Sequence, residues 1–313
     1  MNTDLSPEAA EYGRTAQRAL EAAGGDELAQ QARQESNAGG AVKVLEDLGA
    51  WDLDPRSSAE ELEAAAALCH SAGWWAVPHP VAERVARPRD VDADALVVVA
   101  GSRGAPGGAI AEAVSGLALR WVAVDLGGRR LRATPRPVTD PVGKPGVAVP
   151  LDLVLLDEGG TADVALGLVL PCWTLLGLLD RAIDLTSGYV GERHQFGQPL
   201  SSFQGVQFQL TDAEVERVGV EELAKYALWS VATRQPDAVA DALALRVAAV
   251  EAAEVVFRIT HQLHGAIGFC DETTLSWLSR ASQPLRRLPL GPSASRAALT
   301  DQLGRGGLAG LFS

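Results

Sequence analysis

Two short strings hold residue types suited to a dinucleotide. In Glu192-Arg-His-Gln-Phe-Gly-Gln-Pro-Leu-Ser-Ser-Phe-Gln-Gly-Val-Gln207, Arg193 brings a planar guanidinium that matches a pyrophosphate. Phe196 brings a flat apolar surface, and Gly197 lets the backbone come close. In Gln262-Leu-His-Gly-Ala-Ile-Gly-Phe269, Gly265 and Gly268 allow the chain to close on a ligand, although Gly265 also reads as a helix-ending residue and Phe196-Gly197 as a turn. Other candidates carry less. His261 and His264 stand three apart without a third metal ligand nearby. Gly101-Ser-Arg-Gly-Ala-Pro-Gly-Gly108 fits no phosphate-loop spacing, has a proline that lacks an N–H, and reads as a mobile loop. Trp74 and Trp75 read as core packing before acyl-pocket lining, and Arg280, Arg286 and Arg287 form a basic patch that suits ligand phosphates or interface ion pairs equally.

Composition sets limits on these options. The chain has 313 residues, 47% of them hydrophobic, enough for a real core. Its 27 Lys and Arg against 40 Asp and Glu leave a net charge of −13, which argues against nucleic-acid binding. The opening residues lack the order of a signal peptide, and no charge-free apolar run reaches the length of a membrane span. A cytoplasmic protein with no membrane partner is expected. Cys69, Cys172 and Cys270 lie far apart among apolar neighbours and read as small buried hydrophobes.

The elements that must position the two strings follow from periodicity and punctuation. Ser6-Pro7 starts a helix expected to run to about residue 35. A short helix covers Gly40 to Leu48, and Ser58-Ala-Glu-Glu61 is a capping box for a helix ending near Gly73. Residues 94–157 are Val-rich and alternate, with Gly127-Gly128 as a hairpin turn. Three helices of about 25 to 30 residues follow. The first has Asp163 as its expected N-cap and Pro171 at a kink or a restart, and the third opens at Asp237. Shorter helices are expected around 273–281 and 293–303, with a docked glycine-rich arm at the end.

The pairing of the two strings on these helices resembles the acyl-CoA dehydrogenase family. Its carboxy-terminal domain carries R-x-x-F-G-x-P-L-x-x-F-Q-x-x-Q and then Q-L-H-G-G-x-G. Here Arg193, Phe196, Gly197, Pro199, Leu200, Phe203, Gln204 and Gln207 match the first, and Gln262, Leu263, His264, Gly265 and Gly268 the second, with Ala266 replacing a glycine. The resemblance implies a mostly α fold with a small β domain: a helical domain over 1–93, a reduced β domain over 94–160 and a carboxy-terminal bundle over 161–313. It also implies that Arg193, Phe196, Gln262, Gly265 and Gly268 bind FAD across a subunit interface.

Two departures shape the expected function. Family enzymes use a carboxylate to remove the α-proton of an acyl-CoA while hydride leaves for the flavin, and the two places where that carboxylate stands align with Leu290 and Gly167. Asp163 and Asp180 lie nearby and read as structural. The β region also lacks the family strings that hold the flavin ring and acyl chain. The expectation is therefore the smaller, base-lacking subunit of an α2β2 dehydrogenase resembling those of actinobacterial steroid and cholesterol side-chain breakdown. Such a subunit is inactive alone, and a partner brings the catalytic Glu for a bulky acyl-CoA. The alternatives are a flavin monooxygenase of the same fold and a non-enzymatic scaffold.

Overall fold

The computed structural model describes residues 3–34, 38–102, 105–106, 108–111, 118–136 and 148–306. Helix α1 (Pro7–Ala22) starts as its sequence dictates: Pro7 fills the first position and the Ser6 hydroxyl accepts the Ala9 N–H at 3.3 Å. Ala9, Gly13, Ala16 and Leu20, at helical spacing, are its buried face. The single helix expected to residue 35 is instead two, because Gly24 and Gly25 both take positive φ and turn the chain into α2 (Gly25–Gln34). After α3 (Gly39–Asp47), Ser58 caps α4 (Ala59–Trp74) by accepting the Glu61 N–H at 3.2 Å. The box is half formed, since the Glu61 carboxylate accepts from the Asp54 N–H at 2.5 Å. Prolines 78 and 80 lead into the short α5 (Val81–Val85).

The β region comprises β1 (Ala95–Val99), the short pair β2 (Gly101–Ser102) and β3 (Ala105–Pro106), then β4 (Ala109–Ala111), β5 (Trp121–Asp125), β6 (Arg130–Pro135) and β7 (Ala148–Asp157). Five of these form one sheet in the order β1-β5-β6-β7-β4. Only β1 with β5 is parallel, Val97 opposite Ala123. The expected hairpin joins β5 and β6: Asp125 accepts the Gly127 and Arg129 N–H groups, and Gly128 takes φ +84°. The glycine-rich loop at 101–108 lies partly outside the described residues, as does most of the terminal glycine-rich arm.

The helical part opens with α6 (Thr161–Glu192), which runs unbroken through Pro171. Its N-cap is Gly160, so Asp163 is not the cap; it is a buried carboxylate held by two arginines, Arg56 at 2.6 Å and Arg130 at 2.7 Å. By length and composition α6 passes for a membrane span, yet 78% of its most apolar window is buried inside the fold. A small antiparallel hairpin, β8 (His194–Gln195) with β9 (Gln198–Pro199), leads to α7 (Gln204–Ala232) and α8 (Ala238–His264). Asp237 occupies the N-cap position of α8 but makes no capping hydrogen bond. The last helices, α9 (Thr274–Arg287) and α10 (Pro292–Gly306), are longer than the sequence suggests. One core joins the amino-terminal helices, the inner strands and the bundle. Helices α4 and α6 approach so closely that a Cβ on Gly73 or Gly177 would lie 2.0 Å from the opposite carbonyl oxygen. Trp75 packs here, its indole N–H donating to the Gln17 carbonyl. Cys69 and Cys172 are buried as expected, whereas Cys270 is exposed.

Candidate functional site

Both strings lie at one end of the bundle. Tyr189, four residues before Arg193, stacks on His264, next to Gly265, with ring centroids 4.4 Å apart. Phe196 and Gly197 form the tip of the β8–β9 hairpin, both with positive φ. That conformation is natural for glycine and strained for phenylalanine. The Phe196 ring is 92% exposed and meets the edge of Phe203. Arg193 caps α6, donating its backbone N–H to the Tyr189 carbonyl, and its exposed guanidinium has no ion-pair partner among the described residues. In an acidic protein that leaves an exposed planar cation and an exposed flat ring three residues apart.

The second string borders a groove of about 680 Å³ along α8. Gln262 and Gly265 line it, together with Arg258, His261, Phe269 and Arg286. Gly265 ends α8 at φ +65°, and a Cβ there would meet nothing within 4 Å, so the surface is open at this point. Gly268 behaves differently: it is buried, and a Cβ would fall 2.8 Å from the His264 Cβ. Its small size serves the packing of the turn. The ring of His261 lies flat on Phe269 at 4.4 Å, and burial lowers the pKa of both His261 and His264, keeping them neutral near pH 7. Sequence reading passed over Arg258 and Phe269. The alternation of cations with an aromatic on the same helical end was the signal available.

These features suit a nucleotide cofactor: a groove of nucleotide size, open backbone at Gly265, an exposed ring at Phe196 and unpaired guanidinium groups. Arg193, Phe196, Gln262 and Gly265 are accessible to such a group, and Gly268 shapes the turn beneath it.

The positions aligned with the family's base hold no acid. Gly167 faces β1, where a Cβ would meet the Val98 side chain at 2.8 Å. Leu290 is buried, and its carbonyl accepts from Arg246 at 2.7 Å and from the Ser295 hydroxyl at 3.2 Å. Asp180 pairs with His70 at 2.6 Å, and Asp163 is bound to its arginines. Gly167 does line a cavity of about 50 Å³ between α5, the sheet, α6, α8 and α9, with Pro171, Trp121, Leu288, Glu83 and Arg246 in its wall.

Comparison with known proteins agrees with this architecture. Residues 168–297 match the family model for the acyl-CoA dehydrogenase C-terminal domain. Acyl-CoA dehydrogenase FadE28 of Mycobacterium tuberculosis is 34% identical over 117 residues, covering 37% of this chain and 34% of that protein. The chain's matches span about a third or less of the length of such curated relatives. Among solved structures, the ChsE4-ChsE5 complex from Mycobacterium tuberculosis superposes with a TM-score of 0.73 at 18% identity, over 97% of this chain and 99% of that one. The Tcur3481-Tcur3483 steroid acyl-CoA dehydrogenase variant gives 0.76 at 18% identity, over 96% and 98%. Residues 168–297 thus match the acyl-CoA dehydrogenase C-terminal domain in sequence, and nearly the whole chain shares the fold of these solved structures.

Proposed function

We propose that this chain is the base-lacking subunit of a cytoplasmic, heteromeric FAD-dependent acyl-CoA dehydrogenase, with an α2β2 assembly. Arg193, Phe196, Gln262 and Gly265 complete an FAD site across the interface with a partner that brings the catalytic Glu, and Gly268 shapes the turn beneath them. The observation that carries this reading is the pair Gly167 and Leu290: the cofactor strings are kept while neither base position holds a carboxylate. When bound, FAD accepts the hydride that leaves Cβ of the acyl group. This chain's own share is to hold phosphate with Arg193, to offer the Phe196 ring as an apolar face, and to let the cofactor lie against the backbone at Gly265.

The size of the internal cavity supports the same reading. At about 50 Å³ it is far smaller than a steroid side chain with its rings, so a bulky acyl group belongs to the partner's pocket. The substrate class is inferred from one solved structure whose name gives a steroid acyl-CoA dehydrogenase. The test is expression of the chain alone and with candidate base-bearing subunits. The expected result is FAD and acyl-CoA oxidation only in the complex, with Arg193→Ala lowering FAD affinity about tenfold or more through loss of a charge-assisted phosphate contact. Stoichiometric FAD and full activity from the lone chain would refute it.

A further inference from the structure

Strand β7 outlasts one of its neighbours. Ala148–Pro150 pair with β4, and the Leu151 N–H donates to the Gly108 carbonyl at 3.0 Å, but from Asp152 to Asp157 no strand among the described residues lies on that side. The other side is paired with β6, Val154 opposite Arg132 and Leu155 opposite Leu131. The Pro150 carbonyl accepts the Arg136 N–H toward β6, whereas Leu151 bonds the opposite way. This alternation continues along an antiparallel strand, so the N–H and C=O of Leu153 and Leu155 face the open edge. Neither residue has a backbone partner there among the described residues.

Side chains along the same stretch are bare. Val154 is 65% exposed, Leu155 56% and Leu156 38%. Successive residues of a strand point to opposite faces, so both faces are apolar and exposed. Leu155 continues the row of Val149, Leu151 and Leu153 past the end of the small core that buries the first two. A helix or loop laid on one face would leave the other bare and the edge unbonded. A strand added at the edge meets all three needs: its backbone bonds Leu153 and Leu155, and its side chains lie beside Val154 on one face and Leu155 on the other. The bulge between Leu155 and Asp157 ends the regular ladder, so the docked stretch is short.

Charge selects the occupant. Asp152 stands before the apolar stretch and Asp157 and Glu158 after it, all exposed. A second copy of this chain would pair antiparallel about a two-fold axis. Every register that matches Leu153 and Leu155 of one copy with those of the other then puts Asp152 beside Asp152 or Glu158 of the other copy. Like charges so placed destabilise a strand pair, here in a chain of net charge −13. A foreign strand with cations at its ends meets carboxylates at both ends instead.

We propose that the Asp152–Asp157 edge of β7 docks, by strand addition, an extended segment of a different protein that is apolar at its centre and basic at both ends. The edge lies at the start of α6, at the opposite end of that helix from Phe196, and its occupation does not depend on the cofactor reading.

The experiment titrates the full chain, without FAD, into the fluorescein-labelled peptide Lys-Lys-Val-Ile-Val-Lys-Lys and follows anisotropy. The expected result is saturable binding, weaker by about tenfold or more for a copy with Glu in place of each Lys, and weaker by a similar factor in Val154→Asp and Leu155→Asp. Phe208→Asp, at an exposed apolar position on α7, should bind as the wild type does, and circular dichroism melting checks that the variants fold. Two further peptides, N-methylated on alternate amides, separate strand addition from simple apolar adhesion: methylation of the amides that face β7 abolishes binding, and methylation of the others spares it. No saturable binding, equal binding of the Lys and Glu peptides, or equal loss with both methylated peptides would overturn the proposal. So would a dimer of the chain, seen by sedimentation velocity, that Leu155→Asp dissolves, since the edge would then belong to a second copy.

Discussion

Glu83 carries a stability cost whose sign is fixed by its direction of shift. Its carboxyl titrates near 4.5 in solvent and at about 7 in the fold, so the folded state favours the protonated form. The stability this contributes is full below pH 4.5 and is lost as pH rises to about 7. Replacing the group by a neutral isostere should therefore matter little at pH 4.5 and stabilise the chain above pH 7, by at most about 3 kcal/mol for a shift of this size. Thermal melts of Glu83→Gln and wild type across that window measure it, and a difference independent of pH would contradict the assignment. In sequence, Val-Ala-Glu-Arg-Val showed a charge between apolar neighbours but not which side it faced. Its neighbour Arg84 turns away onto the ring of Trp51, 3.7 Å from the centroid. Arg193 and Phe196 were legible because their types name a chemistry. Gly268 was read as part of the cofactor surface, yet here it makes room for His264, and a glycine string does not distinguish space for a ligand from space for a neighbour.

At the scale of elements, the crossing of α4 and α6 is set by two residues without side chains. Gly73 and Gly177 each face a backbone carbonyl oxygen at a distance no Cβ can occupy, and backbone yields less readily than a side-chain tip. Alanine at either position should force the helices apart and cost about 2–3 kcal/mol, the upper range for overpacking. Gly188, on the same helix, has open space around it. Alanine there should stabilise by about 0.5–1 kcal/mol through helix propensity alone. Urea denaturation of the three variants checks the contrast, and similar losses at Gly188 and Gly177 would contradict it. The long helices and the Gly127-Gly128 hairpin were readable because period and turn chemistry are local. The break between α1 and α2 was missed because Ala- and Glu-rich sequence on both sides outvotes two glycines until their φ values are known. The passage of α6 through Pro171 was undecidable in sequence, since burial of both flanking turns, not propensity, keeps the helix whole.

Across the whole molecule, Asp163 is the point where three stretches of chain meet. Arg56 reaches it from the connection before α4, and Arg130 from β6, while Asp163 itself stands in the first turn of α6 and is 1% exposed. Removing one member of a buried ionic cluster leaves the others charged without compensation. Asp163→Asn should cost about 3–5 kcal/mol, read from the urea midpoint, whereas Asp47, exposed and paired with Lys43, should change stability by less than about 0.5 kcal/mol when replaced by Asn. This cluster was invisible in sequence, where Asp163 has the place of a cap, because its partners lie 107 and 33 residues away. The same helix ends at Arg193, next to the exposed hairpin. At 32 residues it is a rod of about 48 Å, tied by the arginines at its start and packed along its length against α4, α7 and α8. Over that length a tilt of about 5° would carry Phe196 by about 4 Å. The aim of the β8–β9 hairpin thus depends on how the whole rod is seated, from the buried carboxylate at its start to the packed face along its length.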